Sequence, residues 1–201
     1  MEAVSLVAMP LLFFLGDSHG DPVAWVFLTM WTVHYFQRTI VFPLRRKSPG
    51  RDMALSVVGM AAFFNIINAG TNGYYLFHLA EPYGLSWLTG PRFLIGAALF
   101  VCGMAINIQS DNILLNLRGP GKPKYSIPDK GLFRYISSPN YMGEIIEWIG
   151  WAVATWSLAG VAFALWTIAN LAPRAITHHR WYQNKFEEYP KKRRALIPYI
   201  W

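Results

Sequence analysis

Six apolar stretches alternate with short polar connections, and 17 of the 18 Lys and Arg residues collect in every second connection or at the ends facing it. The stretches cover about residues 2–15, 22–42, 53–71 (with a short extension over 74–79), 91–117, 141–156 and 157–178. A helix needs about 20 apolar residues, within a range of about 17–25, to cross a bilayer. The second, fourth and sixth stretches meet that length, the third is adequate, the fifth is borderline and the first is too short to cross alone. Gly70, Gly73 and the asparagines around them predict a break or an end in the third helix.

If successive helices cross in opposite directions, the N-terminal residues, 43–52, 118–140 and the tail beyond 178 share one face. Residues 16–21, 80–90 and the turn at Ser157 share the other, where Arg92 is the one cation. An excess of Lys and Arg marks the cytoplasmic face. The expected fold is therefore all-α: a polytopic transmembrane helix bundle of about six helices, with both termini of this chain cytoplasmic. Residues 1–201 read as one transmembrane domain, with a cytoplasmic loop at 118–134 and a cytoplasmic tail at 179–201.

Composition supports this division. The chain is 54% hydrophobic and 14% charged, against about 45–50% and about 25% in soluble domains. Nine tryptophans suit the aromatic belts of a membrane–water interface. The net charge of +7 lies in short runs between apolar stretches, which fits membrane orientation and not a nucleic-acid surface. The single Cys102 excludes an internal disulfide and a cysteine zinc cluster; its apolar run predicts an inert, buried thiol. Met1-Glu2 puts an acid where a secretory signal carries positive charge. No protein partner is expected.

Ionisable groups within a membrane segment are costly and face the bundle interior or a water-filled cavity. His34 and Arg38 are four apart, as are Asn107 and Asp111, with Ser110 beside them. Asn140, Glu144, Glu147 and Trp151 form one helical stripe, and Arg174, His178 and Tyr182 another. Each group has a plainer reading. Asn65, Asn68 and Asn72 serve equally as helix–helix hydrogen-bond glue, and His34 and Arg38 as snorkelling residues at a helix end. Glu144 with Glu147 is the hardest to explain that way, because two carboxyls on one membrane face demand protons, partners or water. No His-x-x-x-His or Glu-x-x-His spacing supports a metal site. The Gly- and Pro-rich loop from Arg118 to Gly131 reads either as a solvated connector or as a basic flap over phosphates.

Several runs resemble the steroid 5α-reductases. They are His34-Tyr-Phe-Gln-Arg38-Thr, Gly73-Tyr-Tyr-Leu76, Ile106-Asn-Ile-Gln-Ser-Asp111, Leu117-Arg-Gly-Pro-Gly with Tyr125-Ser-Ile-Pro128, and Gly131-Leu-Phe-Arg-Tyr135. Asn140-Tyr-Met-Gly-Glu144-Ile-Ile-Glu147-Trp-Ile-Gly150, Ala154-Thr-Trp-Ser157 and Phe186-Glu-Glu-Tyr-Pro190 with Arg194-Ala-Leu-Ile-Pro198 extend the likeness over essentially the whole chain. The resemblance implies a membrane enzyme that uses NADPH to reduce a carbon–carbon double bond conjugated to a ketone, in the endoplasmic reticulum or a bacterial inner membrane. It also implies seven helices, one of them ahead of Glu2, where Glu2-Ala-Val-Ser5 departs from the family's pattern with Val4 in place of a proline.

By resemblance, Tyr35 and a protonated Glu2 polarise the ketone, since a carboxyl in an apolar site keeps its proton. Asn107, Asp111, Arg118, Tyr125, Asn140, His178, Tyr182 and Arg193 match cofactor-contact positions, with Glu144 near the nicotinamide. Phe64 and Trp148 are implied walls of a flat apolar substrate pocket, and membrane lipid is the surrounding partner. An enoyl-thioester reductase of the same superfamily remains an alternative. So does a membrane methyltransferase, against which the basic loop and Arg193 favour a phosphate-rich cofactor. A small transporter or lipid-binding scaffold is the reading from another class, and no internal repeat supports it.

Overall fold

The computed structural model describes residues 2–46, 53–117, 123 and 125–201. Among them the regular structure is helical, apart from one isolated parallel bridge between Ile136 and Arg194. The helices are α1 (Ala3–Leu15), α2 (Pro22–Phe36), the single turn α3 (Phe42–Leu44), α4 (Leu55–Tyr74), α5 (Pro91–Asn116), α6 (Pro139–Thr155) and α7 (Leu158–Lys185). Two π-helical turns, Gln37–Val41 and Tyr75–Leu79, continue α2 and α4. The chain forms two compact units, residues 1–94 and 95–201.

In the first unit α1 packs on α2 and α4. Its core is aromatic: Phe13 meets Phe77 edge-on at 5.0 Å and Trp25 at 4.5 Å. The break expected at Gly70 does not occur, while regular α4 ends at Tyr74, directly after Gly73. Gly73 is there for packing. A Cβ on it would stand 2.8 Å from Leu12 Cδ1 and 3.0 Å from Met9 Sδ, so the missing side chain admits α1. At the other end Asp21 caps α2: its Oδ1 accepts from the Val23 amide at 2.9 Å, and its Oδ2 from the Tyr83 amide at 3.0 Å.

In the second unit α6 and α7 form a tight hairpin. α6 stops at Trp156, held in the left-handed region (φ 47°, ψ 41°), and Ser157 caps α7 by accepting from the Gly160 amide at 3.0 Å. Helix α7 runs past the expected end of its apolar stretch to Lys185. Between α5 and α6 the backbones touch through four glycines. A Cβ on Gly103 would stand 2.5 Å from the Gly143 carbonyl, and one on Gly143 2.6 Å from the Asn107 amide. Gly96 and Gly150 repeat the contact one heptad away, against Ala154 and Phe100. Without a hydrophobic drive between helices in lipid, such small-residue seams let packing and hydrogen bonds hold helices together.

Beside the apolar core, polar residues are buried and large apolar ones are exposed. Asn65, Asn72, Asn107, Asp111 and Glu147 are buried, while Val7, Phe14, Leu55, Phe63, Leu94 and Leu158 are exposed. Cys102 is also exposed, against expectation: the Gly96–Gly103 face of α5 turns inward toward α6, and Cys102 lies off it. Helices α5 and α7 are long and apolar enough to cross a membrane, and α1 is apolar but shorter.

Substitution of glycine should therefore separate two environments. Gly103→Ala forces the seam open and should destabilise by about 1–3 kcal/mol, the usual cost of overpacking. Gly59→Ala, where nothing lies within 4 Å of the added carbon, should stabilise α4 by roughly 0.5–1 kcal/mol. Thermal unfolding of both variants in one detergent checks the opposite signs.

Candidate active site

Tyr35 is buried on the last turn of α2, directly before the π-helical turn. Trp31 and His34 pack against its ring, each at 4.9 Å. Asn68 Nδ2 donates to the Tyr35 hydroxyl at 3.4 Å, and Asn72 Nδ2 donates to Asn68 Oδ1 at 3.2 Å. One face of α4 thus presents a directed chain of amides to the phenol. A hydroxyl that accepts a hydrogen bond becomes a better donor, because the bonds polarise one another. Asn65 acts elsewhere, with its Oδ1 accepting from Ser5 Oγ at 2.7 Å and so tying α4 to α1. The glue reading holds for Asn65, whereas Asn68 and Asn72 also serve Tyr35.

Glu2 lies beside Arg38, whose Nη2 donates to Glu2 Oε1 at 3.5 Å; the side chains of Arg38 and Glu2 are 21% and 37% exposed. The Arg38 guanidinium also covers the Phe42 ring, 5.4 Å from its centroid. The structure brings Glu2 to Arg38 as an acceptor. Phe64 lies half-buried on α4.

In the second unit the glycine seam brings polar groups of α5 and α6 together. Asn107 Nδ2 donates to the Asn140 carbonyl at 3.0 Å and to Glu144 Oε2 at 3.4 Å, and Asn140 Nδ2 donates to Asp111 Oδ1 at 3.5 Å. Four of the implied cofactor residues therefore form one network. Glu147, on the same stripe, is fully buried, and its backbone faces Gly103. Trp148 is buried among Phe163, Phe100 and Trp151, with ring centroids 4.2, 6.1 and 6.4 Å away.

A third group gathers where α7 meets the tail. The His178 ring lies 5.5 Å from Tyr141, Tyr125 meets Trp181 at 5.0 Å, and Tyr182 stacks on Tyr189 at 5.3 Å. Arg193 is buried: its guanidinium covers the Tyr189 ring at 4.9 Å, and Nη1 donates to the Pro128 carbonyl at 3.0 Å. Arg118 lies outside the described residues. Sequence reasoning passed over Ser5, Ser137 and the glycine seam. The seven-residue spacing of Gly96 to Gly103 and of Gly143 to Gly150 was the available signal for the last.

Comparison with known proteins shows the family. A family model described as 3-oxo-5-alpha-steroid 4-dehydrogenase matches residues 51–201. The chain is 42% identical over 204 residues to steroid 5-alpha-reductase DET2 of Solanum lycopersicum, covering all of this chain and 79% of that protein. It is 47% identical over 204 residues to 3-oxo-5-alpha-steroid 4-dehydrogenase 1 of Homo sapiens, covering 100% and 78%. Against 3-oxo-5-alpha-steroid 4-dehydrogenase 2 of Homo sapiens the identity is 47% over 195 residues, 97% of this chain and 73% of that one. The chain belongs to the 3-oxo-5-alpha-steroid 4-dehydrogenase family. It is an oxidoreductase of that type, a class that works with a nicotinamide cofactor, and its apolar helices give it membrane character.

The α5–α6 network makes a stability prediction that is independent of turnover. Asn107→Asp replaces a donor with an acceptor facing a carbonyl and a carboxylate. It should cost on the order of 1–3 kcal/mol, the penalty for leaving buried polar groups unpaired, read as a lowered unfolding midpoint.

Proposed function

We propose that this chain is a polytopic membrane reductase. It takes NADPH and reduces the double bond conjugated to the ketone of a Δ4-3-ketosteroid. The observation that carries this reading is the Asn72–Asn68–Tyr35 chain, which holds a buried phenol by a directed pair of amides. When bound, NADPH supplies a hydride to the β-carbon of the enone. Negative charge then develops on the ketone oxygen, and a preorganised donor there lowers the barrier. Tyr35 is that donor, held by Asn68 and polarised by it. Glu2, beside Arg38, is proposed as the second group on the ketone oxygen.

The second unit offers the groups that such a cofactor needs. Asn107, Asn140, Asp111 and Glu144 provide amides and carboxylates suited to ribose hydroxyls and a carboxamide. Among the described residues, buried Arg193 Nε and Ser138 Oγ have no hydrogen-bond partner. Ser138 stands at the N-terminus of α6, where the helix dipole favours anions. Orphaned donors at such a place fit a polyanion. Tyr125, His178, Tyr182 and, outside the described residues, Arg118 complete the proposed set. Phe64 is proposed as an apolar contact of the steroid, and so is Trp148, which is backed by Phe163, Phe100 and Trp151. The charge split of 17 to 1 supports cytoplasmic termini.

Purified full-length chain should oxidise NADPH when given a Δ4-3-ketosteroid and not when given an enoyl thioester; the reverse preference overturns the substrate assignment. Tyr35→Phe keeps the ring between Trp31 and His34 but removes the donor. Its turnover should fall about 10²–10³-fold with NADPH affinity unchanged, as single-turnover NADPH oxidation beside a direct binding measurement will show. Near-normal turnover removes Tyr35 from the mechanism.

A further inference from the structure

Ser137 is buried at the junction of three segments, and none of the cofactor or substrate assignments uses it. Its Oγ is 2.6 Å from His179 Nδ1 on α7, 2.6 Å from the Tyr189 hydroxyl and 3.1 Å from the Arg194 carbonyl. Its amide donates to the same carbonyl at 2.8 Å, while the Arg194 amide donates to the Tyr135 carbonyl at 2.9 Å. With all three of these bonds to Oγ made, one assignment of protons satisfies them. A serine hydroxyl has one proton and two lone pairs. Its proton goes to the Arg194 carbonyl, which can only accept. Tyr189 and His179 must therefore both donate to Ser137, so His179 carries its proton on Nδ1. Its Nε2 is left to accept from Gln183 Nε2, 2.9 Å away. That tautomer is a neutral imidazole. Burial, then the neighbouring Arg193 and Arg194 guanidiniums, hold His179 below the usual histidine range, at a position one residue beyond the apolar stretch.

We infer that Ser137 and His179 are positioning residues that set Arg193 for the cofactor. The inference rests on the reading of Arg193 as a phosphate contact. Ser137 grips both flanks of Arg193. On one side it bonds the hydroxyl of Tyr189, whose ring carries the Arg193 guanidinium; on the other it fixes both the carbonyl and, through Tyr135, the amide of Arg194. Ser137 also directly precedes Ser138 at the start of α6, three residues before Asn140. Its hydroxyl and its backbone thus act on the two neighbours of Arg193 along the tail, one through the Tyr189 ring and one through the Arg194 main chain.

Ser137→Ala should raise the KM for NADPH about three- to tenfold, the worth of a lost buried hydrogen bond, with the steroid KM and kcat unchanged. Tyr189→Phe, which keeps the ring under Arg193 and removes only the hydroxyl, should do the same to a smaller extent. His179→Asn retains a donor in place of Nδ1 and should remain near wild type, whereas His179→Leu should match Ser137→Ala. In an Arg193→Ala background Ser137→Ala should add less than twofold, because residues that act through one another are not additive. Equal effects of Ser137→Ala with and without Arg193, or a lowered melting temperature with unchanged NADPH KM, overturn the inference. If Arg193→Ala raises the NADPH KM and Ser137→Ala does not, this inference alone fails. An unchanged KM in Arg193→Ala itself overturns the phosphate role of Arg193 and removes the inference's route.

Discussion

Backbone contact between α5 and α6 is the constraint on which the second unit depends. Four glycines remove every side chain from the seam, and Ala154, Glu147 and Phe100 meet them through main-chain atoms. In lipid, where apolar side chains gain little by turning inward, close approach is what makes dispersion and weak hydrogen bonds count. It also fixes chemistry. Asn107 reaches the Asn140 carbonyl at 3.0 Å because Gly143 lets the two helices close at that level. Were the helices spaced by ordinary side chains, typically about 8–10 Å apart, the same amide would face a gap. The polar network is a product of the missing methyl groups.

The first unit solves a different problem by different means. A buried phenol needs orientation in a site where water is scarce, and α4 supplies it with two asparagines one turn apart. Each amide both donates and accepts, so the row has a direction, ending at the Tyr35 oxygen. The neighbouring Ser5–Asn65 bond, together with the Trp31 indole donating to the Ser5 carbonyl at 3.1 Å, locks α1 to α4 and α2. A protein core normally excludes such groups or pairs them fully. Here the pairing is the scaffold.

Much of this was legible in the sequence, for reasons specific to each element. The apolar stretches placed most helices to within a few residues, since a long apolar run specifies a helix by composition, while α7 extends seven residues further, from 178 to Lys185. The i, i+4 spacing of Asn107 with Asp111 and of Asn140 with Glu144 correctly placed each pair on one face. Gly73 marks the end of the regular α-helix, which passes into the π turn after Tyr74, but its missing side chain also admits α1; nothing lies opposite Gly70, and the helix passes through it. Whether a glycine breaks or packs depends on what lies opposite it, and Leu12 is 61 positions away from Gly73. Cys102 misled: in an apolar run every position looks buried, and only the partner helix decides which face is. Ser137 and His179 gave no signal, because Ser137 meets His179 across 42 positions and the returning tail across 57.

The π-helical turn after Tyr35 has a consequence for how this chain tolerates change in length. A π turn holds one more residue than an α turn over the same contour, so it behaves as an absorbed insertion. Removing one residue from Gln37–Val41 would let the segment wind as plain α-helix. Everything beyond it, Phe42 and α3 included, would keep nearly its present face relative to Tyr35, because the residue removed is the one the wider turn had absorbed. The segment is therefore a buffer of chain length: a one-residue deletion is tolerated there, whereas the same deletion within plain α-helix would rotate all that follows by about 100°.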